Sequence, residues 1–127
     1  MSVVLDTGAL IAVERGDPRM VALLDRLATR GEMVVVASGV VAQAWRGSRQ
    51  ARLARLLGAE ETEVVALDEV SARAIGVLLA RSGTSDVIDG QVALVARQRD
   101  APVISSDLAD LLALDPGLRV HRTPGLP

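Results

Sequence analysis

The sequence predicts an α/β protein: a three-layer α/β/α sandwich around a central, mainly parallel sheet of four to five strands. Three observations predict it. Short runs rich in β-branched apolar residues recur along the chain, at residues 3–5, 33–37, 63–67 and 102–105, with a weaker one at 118–121. They are apolar throughout rather than alternating, as strands buried on both faces are. Stretches with apolar residues at helical spacing separate them, and strands alternating with helices imply right-handed crossovers and a parallel sheet. The 127 residues form one expected domain, residues 1–127, with no repeat or linker to divide it.

The elements follow in order. Val3, Val4 and Leu5 make the first strand, and Thr7-Gly8 turns the chain into a short helix over residues 9–14. Asp17 caps the next helix with Pro18 at its first position, Met20, Leu23, Leu24 and Leu27 form its inner face, and Gly31 ends it. After the second strand, Ser38 caps a helix carrying Val40, Val41, Ala44 and Trp45; Gly47-Ser48 interrupts, and residues 50–57 read as helix again. Following the third strand, Asp68 caps a helix that ends at Ser82-Gly83. Ser85 or Asp86 starts another, with Ile88, Val92, Val95 and Ala96 facing inward. Asp107 opens a last short helix after the fourth strand. The tail, Thr123 to Pro127, is irregular.

Composition narrows the chemistry. There is no cysteine, so disulfides, thiolate metal sites and thiol nucleophiles are excluded. All 14 basic residues are arginine, which removes lysine-dependent phosphate loops and Schiff bases. The one histidine, His121, is read as a surface or strand-end residue. No signal peptide and no apolar run long enough for a bilayer is present, so a cytoplasmic protein without membrane contact is expected. Any active site is built from carboxylates, hydroxyls, amides and arginines.

Four carboxylates have the placement for one. Asp6 ends the first strand and Asp107 follows the fourth, on the carboxyl edge where open α/β sheets bind ligands. Asp86 and Asp89 share a face at the start of the helix leading into the fourth strand, near the same edge. Such a cluster is costly without a counter-charge. Hard oxygen donors suit Mg²⁺ or Mn²⁺, which can activate water against a phosphodiester. Each acid also has a structural role open to it: Asp86 and Asp107 as helix caps, Asp89 as a first-turn acid, Asp6 in an Asx-turn.

The ordered set of four stretches resembles the PIN-domain family, especially the VapC-like toxins of bacterial toxin–antitoxin pairs. These stretches are Val3-Val4-Leu5-Asp6-Thr7-Gly8-Ala9-Leu10, then Val40-Val41-Ala42-Gln43-Ala44-Trp45-Arg46-Gly47, then Ser85-Asp86-Val87-Ile88-Asp89-Gly90-Gln91-Val92-Ala93, and Val103-Ile104-Ser105-Ser106-Asp107. The resemblance implies a ribonuclease directed at single strands, using Mg²⁺ or Mn²⁺, with Asp6, Asp89 and Asp107 as metal carboxylates. It makes Ser105 a supporting hydroxyl, Thr7 the hydroxyl beside the first acid, and Asp86 an added ligand or a water acceptor. It also implies a homodimer and a cognate antitoxin that inserts into the active-site groove.

One position departs from the pattern. The family carries a glutamate on the helix after the second strand, and here Gln43 stands there, an amide that accepts through oxygen but brings no charge. Asp86 is taken to supply the missing charge. Arg46, Arg49, Arg52 and Arg55 recur every third residue, a basic stripe for RNA phosphates or an acidic antitoxin segment, with a plain solvated face as the alternative. Trp45, the sole aromatic, either packs in a core or interface or stacks a base. A module of the same fold that binds RNA or a protein without cutting is the second functional expectation. A haloacid-type phosphatase and a phospho-receiver both need a lysine, and the chain has none. Gln43→Glu is expected to tighten Mg²⁺ binding, measured by calorimetry; an unchanged affinity would mean that residue 43 does not face the metal.

Overall fold

The computed structural model describes residues 1–124. Strands β1 (Ser2–Leu5), β2 (Met33–Ala37), β3 (Thr62–Val65), β4 (Val103–Ser105) and β5 (Val120–Arg122) form one sheet in the order β3-β2-β1-β4-β5. Every neighbouring pair is parallel, so the sheet is parallel throughout. Around it lie α1 (Thr7–Glu14), α2 (Pro18–Thr29), α3 (Ser38–Ala44), α4 (Ala51–Leu57), α5 (Glu69–Ser82), α6 (Val87–Arg99) and α7 (Leu108–Leu114), giving the three layers that the alternating pattern predicts.

The central strands are dry on both faces: Val4, Leu5, Val35, Val36 and Val103 have no exposure at all. Polarity increases outward, with Val64 of β3 exposed on one edge and His121 and Arg122 of β5 on the other. The helix joins use the expected chemistry. Asp17 Oδ1 accepts from Arg19 N at 2.9 Å, with Pro18 at the first helical position. Asp68 Oδ1 accepts from Ser71 N at 2.8 Å. Gly31 and Gly83 end α2 and α5 with φ of 69°, a conformation that costs glycine nothing.

Several local expectations are corrected. α1 begins at Thr7, two residues early, because Asp6 Oδ1 accepts from Thr7 N at 2.7 Å and starts the helix directly. Ser38 is the first residue of α3 and not its cap; its hydroxyl accepts from Leu67 N at 3.0 Å instead. β3 runs Thr62–Val65 and stops two residues short of Leu67, because Val65 pairs with Ala37, the last residue of β2, and Ser38 already belongs to α3. The fifth strand lies two residues later at its start, and the fourth begins at Val103. The basic stripe is split: Gly47, at φ 141°, lies in a turn, leaving Arg46 and Arg49 between helices and Arg52 and Arg55 on α4. Trp45, just past α3, is partly buried against the core. Of the expected irregular tail, Gly125, Leu126 and Pro127 lie outside the described residues. No described helix is long and apolar enough to cross a membrane.

Two features hold α6 in place. Gln91, 1% exposed, accepts from Gly39 N at 2.9 Å and donates to Val65 O at 3.1 Å, tying α6 to the start of α3 and the end of β3. Gly90 lets α5 approach closely, since a Cβ there would lie 2.7 Å from Ile75 Cγ2. Gly90→Ala is expected to lower stability by about 1–2 kcal/mol in urea unfolding, because overpacking against a stiff, buried isoleucine outweighs alanine's better helix propensity.

Candidate metal centre

The strand order fixes where a site can form. From β1 the chain moves outward through β2 to β3 on one side, and β4 with β5 occupy the other. The crevice at the carboxyl ends of β1 and β4 is therefore the topological switch point of the sheet. Asp6 follows β1 and Asp107 follows β4 by two residues, one on each side of that crevice. α6 runs back toward the start of β4, and its first turn brings Asp89 to the same edge. One carboxylate oxygen from each of Asp6, Asp89 and Asp107 lies within 4.8 Å of the other two.

The three acids are held differently. Asp6 is 2% exposed, and Ser105 Oγ donates to its Oδ2 at 2.7 Å. The same Ser105 oxygen accepts from Asp107 N at 2.9 Å, so one buried hydroxyl fixes two of the three acids. Asp107 stands at the N-cap of α7 but makes no capping bond, and its side chain, exposed as a whole, turns an oxygen into the cluster. Asp89 is half-buried.

Asp86 is placed apart from the three. It does the cap's work, with Oδ1 accepting from Asp89 N at 2.9 Å, and it shares a cavity of about 280 Å³ with Thr84, Asp89 and Asp110. Thr7 Oγ1 donates to Gln43 Oε1, which places residue 43 beside the strand end that carries Asp6. Arg46 donates to Trp45 O at 2.8 Å and Ala42 O at 3.1 Å, and Arg49 is exposed in the loop. Two residues escape sequence inspection. Asp110 follows Asp107 by one helical turn, a spacing that is a legible signal. Gln91 gives no signal beyond being an amide in an apolar helical run.

The acids of the cluster repel one another. Burial pushes the Asp89 carboxyl up to about 7, and repulsion from Asp86, Asp6, Asp107 and Asp110 adds to it. Asp107 is raised as well, through loss of solvent first and then Asp6, Asp110 and Asp86. Both shifts have the sign that burial and like-charge repulsion produce, and a cation held between the carboxylates would oppose them. Three hard oxygen donors on separate elements fit Mg²⁺ or Mn²⁺ in kind.

The raised Asp89 pKa sets a pH dependence. An unfolded chain ionises this carboxyl near 4, well before the folded one. As pH rises from 4 to 7 the unfolded state releases its proton first, so metal-free stability falls across that window and the full penalty stands above 7. Asp89→Asn is therefore expected to raise the melting temperature in EDTA at pH 8 and to change it little at pH 4. Equal effects at both pH values would remove the repulsion argument.

Comparison with known proteins bears on this geometry. The family model for the PIN domain matches residues 3–112. No curated protein matches the sequence. Among solved structures, VapBC2 from Rickettsia felis bound to a promoter DNA fragment aligns with a TM-score of 0.71 at 17% identity, covering 96% of this chain and 98% of that one. FitAB bound to the IR36 DNA fragment gives 0.68 at 21%, covering 98% and 97%. FitAcB from Neisseria gonorrhoeae gives 0.63 at 22%, covering 98% and 99%. The family match spans most of the sequence, including all three clustered carboxylates: the chain belongs to the PIN domain family.

Proposed function

We propose that the chain is a metal-dependent endoribonuclease, the toxin of a toxin–antitoxin pair. The observation that carries the proposal is the convergence of Asp6, Asp89 and Asp107 oxygens within 4.8 Å at the switch point of the sheet. Family membership supports it, as do the VapBC and FitAB complexes whose chains this one resembles.

Asp6, Asp89 and Asp107 would hold the cation. Mg²⁺ or Mn²⁺ bound there supplies a Lewis acid for the phosphodiester and lowers the pKa of a nearby water. The remaining work belongs to the chain. Ser105 keeps Asp6 aimed into the crevice while Thr7 N anchors its other oxygen. Asp89, whose carboxyl is raised by burial and by its acidic neighbours, would give up its proton as the cation binds. Asp86, one helical turn away, adds negative charge and can accept from water in the adjoining cavity. Gln43 gives an acceptor oxygen where the family carries a carboxylate, and Thr7 orients that amide.

The partners follow in the same proposal. RNA phosphates would meet Arg46 and Arg49 on the α3–α4 loop. Arg52 and Arg55 rim a cavity of about 440 Å³ lined by Val13, Val21, Leu24 and Leu56, a surface for an antitoxin segment that is apolar with acidic neighbours. A homodimer would cover exposed apolar side chains such as Val70 and Val77 of α5. The cytoplasm is the compartment for both RNA and antitoxin. A second function, binding without cleavage, is favoured by one observation, the uncharged Gln43.

The deciding experiment incubates purified protein with total RNA in EDTA, Mg²⁺ or Mn²⁺, beside Asp6→Asn. Cleavage is expected with metal, and a loss of at least about 100-fold in the variant, the scale for removing a charge-stabilising group at a reacting centre. A folded, antitoxin-free protein that cuts nothing in either metal would overturn the nuclease and leave the binding module.

A further inference from the structure

We infer that the groove between α1 and the chain leaving β4 and β5 is a subsite for a single-stranded nucleic-acid backbone, in which Arg15 binds a phosphate neighbouring the one at the carboxylates. The inference rests on the nuclease proposal above and deepens it.

Gly8, Ile11, Ala12 and Arg15 stand at three- and four-residue spacing, one face of α1 and the residue that follows it. Across from them are Ser106, just past β4, and Pro124, just past β5. With Asp17 these residues enclose a cavity of about 220 Å³. One end of the groove adjoins the acids: Gly8 comes two residues after Asp6, and Ser106 immediately precedes Asp107. A side chain at position 8 would collide with Ser106 Oγ, so the glycine keeps this end closely packed. The other end is Arg15, seven residues and about 10 Å along the helix.

Charge decides what the groove takes. The carboxylates repel a polyanion, so a nucleic-acid strand needs a fixed cation close by. Arg73, Arg97, Arg99 and Arg119 are already paired with Glu69, Asp115, Glu63 and Asp100. Among the described residues the Arg15 guanidinium has neither a hydrogen bond nor an ion pair. Asp17, the acid in the groove, is turned to the start of α2, where it accepts from Arg19 N at 2.9 Å and Met20 N at 3.4 Å. Arg52 and Arg55 line a different cavity, none of whose residues neighbours a clustered carboxylate in sequence. The groove walls carry no aromatic ring, so they suit a sugar-phosphate backbone and offer bases no stacking platform.

The test measures binding of a fluorescent single-stranded RNA pool in saturating Mn²⁺ across a range of salt, in a common Asp107→Asn background that blocks cleavage. Arg15→Gln is expected to weaken binding severalfold at low salt and to reduce the slope of log affinity against log salt by about 0.7, the value of one phosphate contact on a single strand. Arg15→Lys should keep the slope, and Mn²⁺ affinity should be the same in all variants. Arg30→Gln, on the loop before β2 at the opposite edge of the sheet, controls for net charge and should leave the slope alone. An unchanged slope in Arg15→Gln, a slope lowered equally by Arg30→Gln, or no RNA binding by the parent would each overturn the subsite. The nuclease proposal stands or falls separately, on cleavage by the unmodified chain.

Discussion

The hydrogen bond from Ser105 to Asp6 is the contact on which the rest of the crevice depends. It joins the ends of two neighbouring parallel strands through two almost fully buried side chains. Losing a buried partner of this kind costs about 1–3 kcal/mol, more when the group left behind is charged. Because Ser105 also receives Asp107 N and Asp6 also receives Thr7 N, the two strand ends and the start of α1 are set by a handful of adjoining atoms. The positions of Asp6 and of the Asp107 backbone are thus set by the strand ends, while Asp89 is placed by α6.

Each clustered acid also sits at the positive end of a helix. Asp6 is the N-cap of α1, Asp89 lies in the first turn of α6, and Asp107 precedes α7. Helix ends of this kind stabilise nearby negative charge by a few tenths to 1 kcal/mol each when exposed. That makes the cluster tolerable without making it comfortable, as the raised Asp89 carboxyl records. A fold that keeps such tension at one crevice, beside central strands that are dry on both faces, gives up stability where ligand binding can restore it.

Much of this was legible in the residues. The apolar strands carried no alternation, which is the mark of burial on both faces, and the acids at their ends needed only the switch-point rule to be brought together. What the pattern could not show was which acids turn inward. Asp86 and Asp107 both precede helices, yet Asp86 spends its oxygen on a backbone N–H and Asp107 does not. That difference lies in the backbone angles at the two helix starts, where spacing is silent. Ser38 misled for a related reason: a hydroxyl at a helix start looks like a cap, but a distant amide, Leu67 N, claims it. Gln91 bonds residues 52 and 26 positions away, and one-dimensional periodicity carries no such information.

Trp45 carries a consequence of another kind. The chain has no tyrosine and no phenylalanine, so its near-ultraviolet absorption and its emission belong to this one indole. It stands two residues beyond Gln43, partly sheltered by the core and partly open to solvent. The protein therefore contains an optical probe at the margin of its acidic crevice, with no background from elsewhere. The arrival of a cation or a strand beside α3 can be followed in real time on the unlabelled chain.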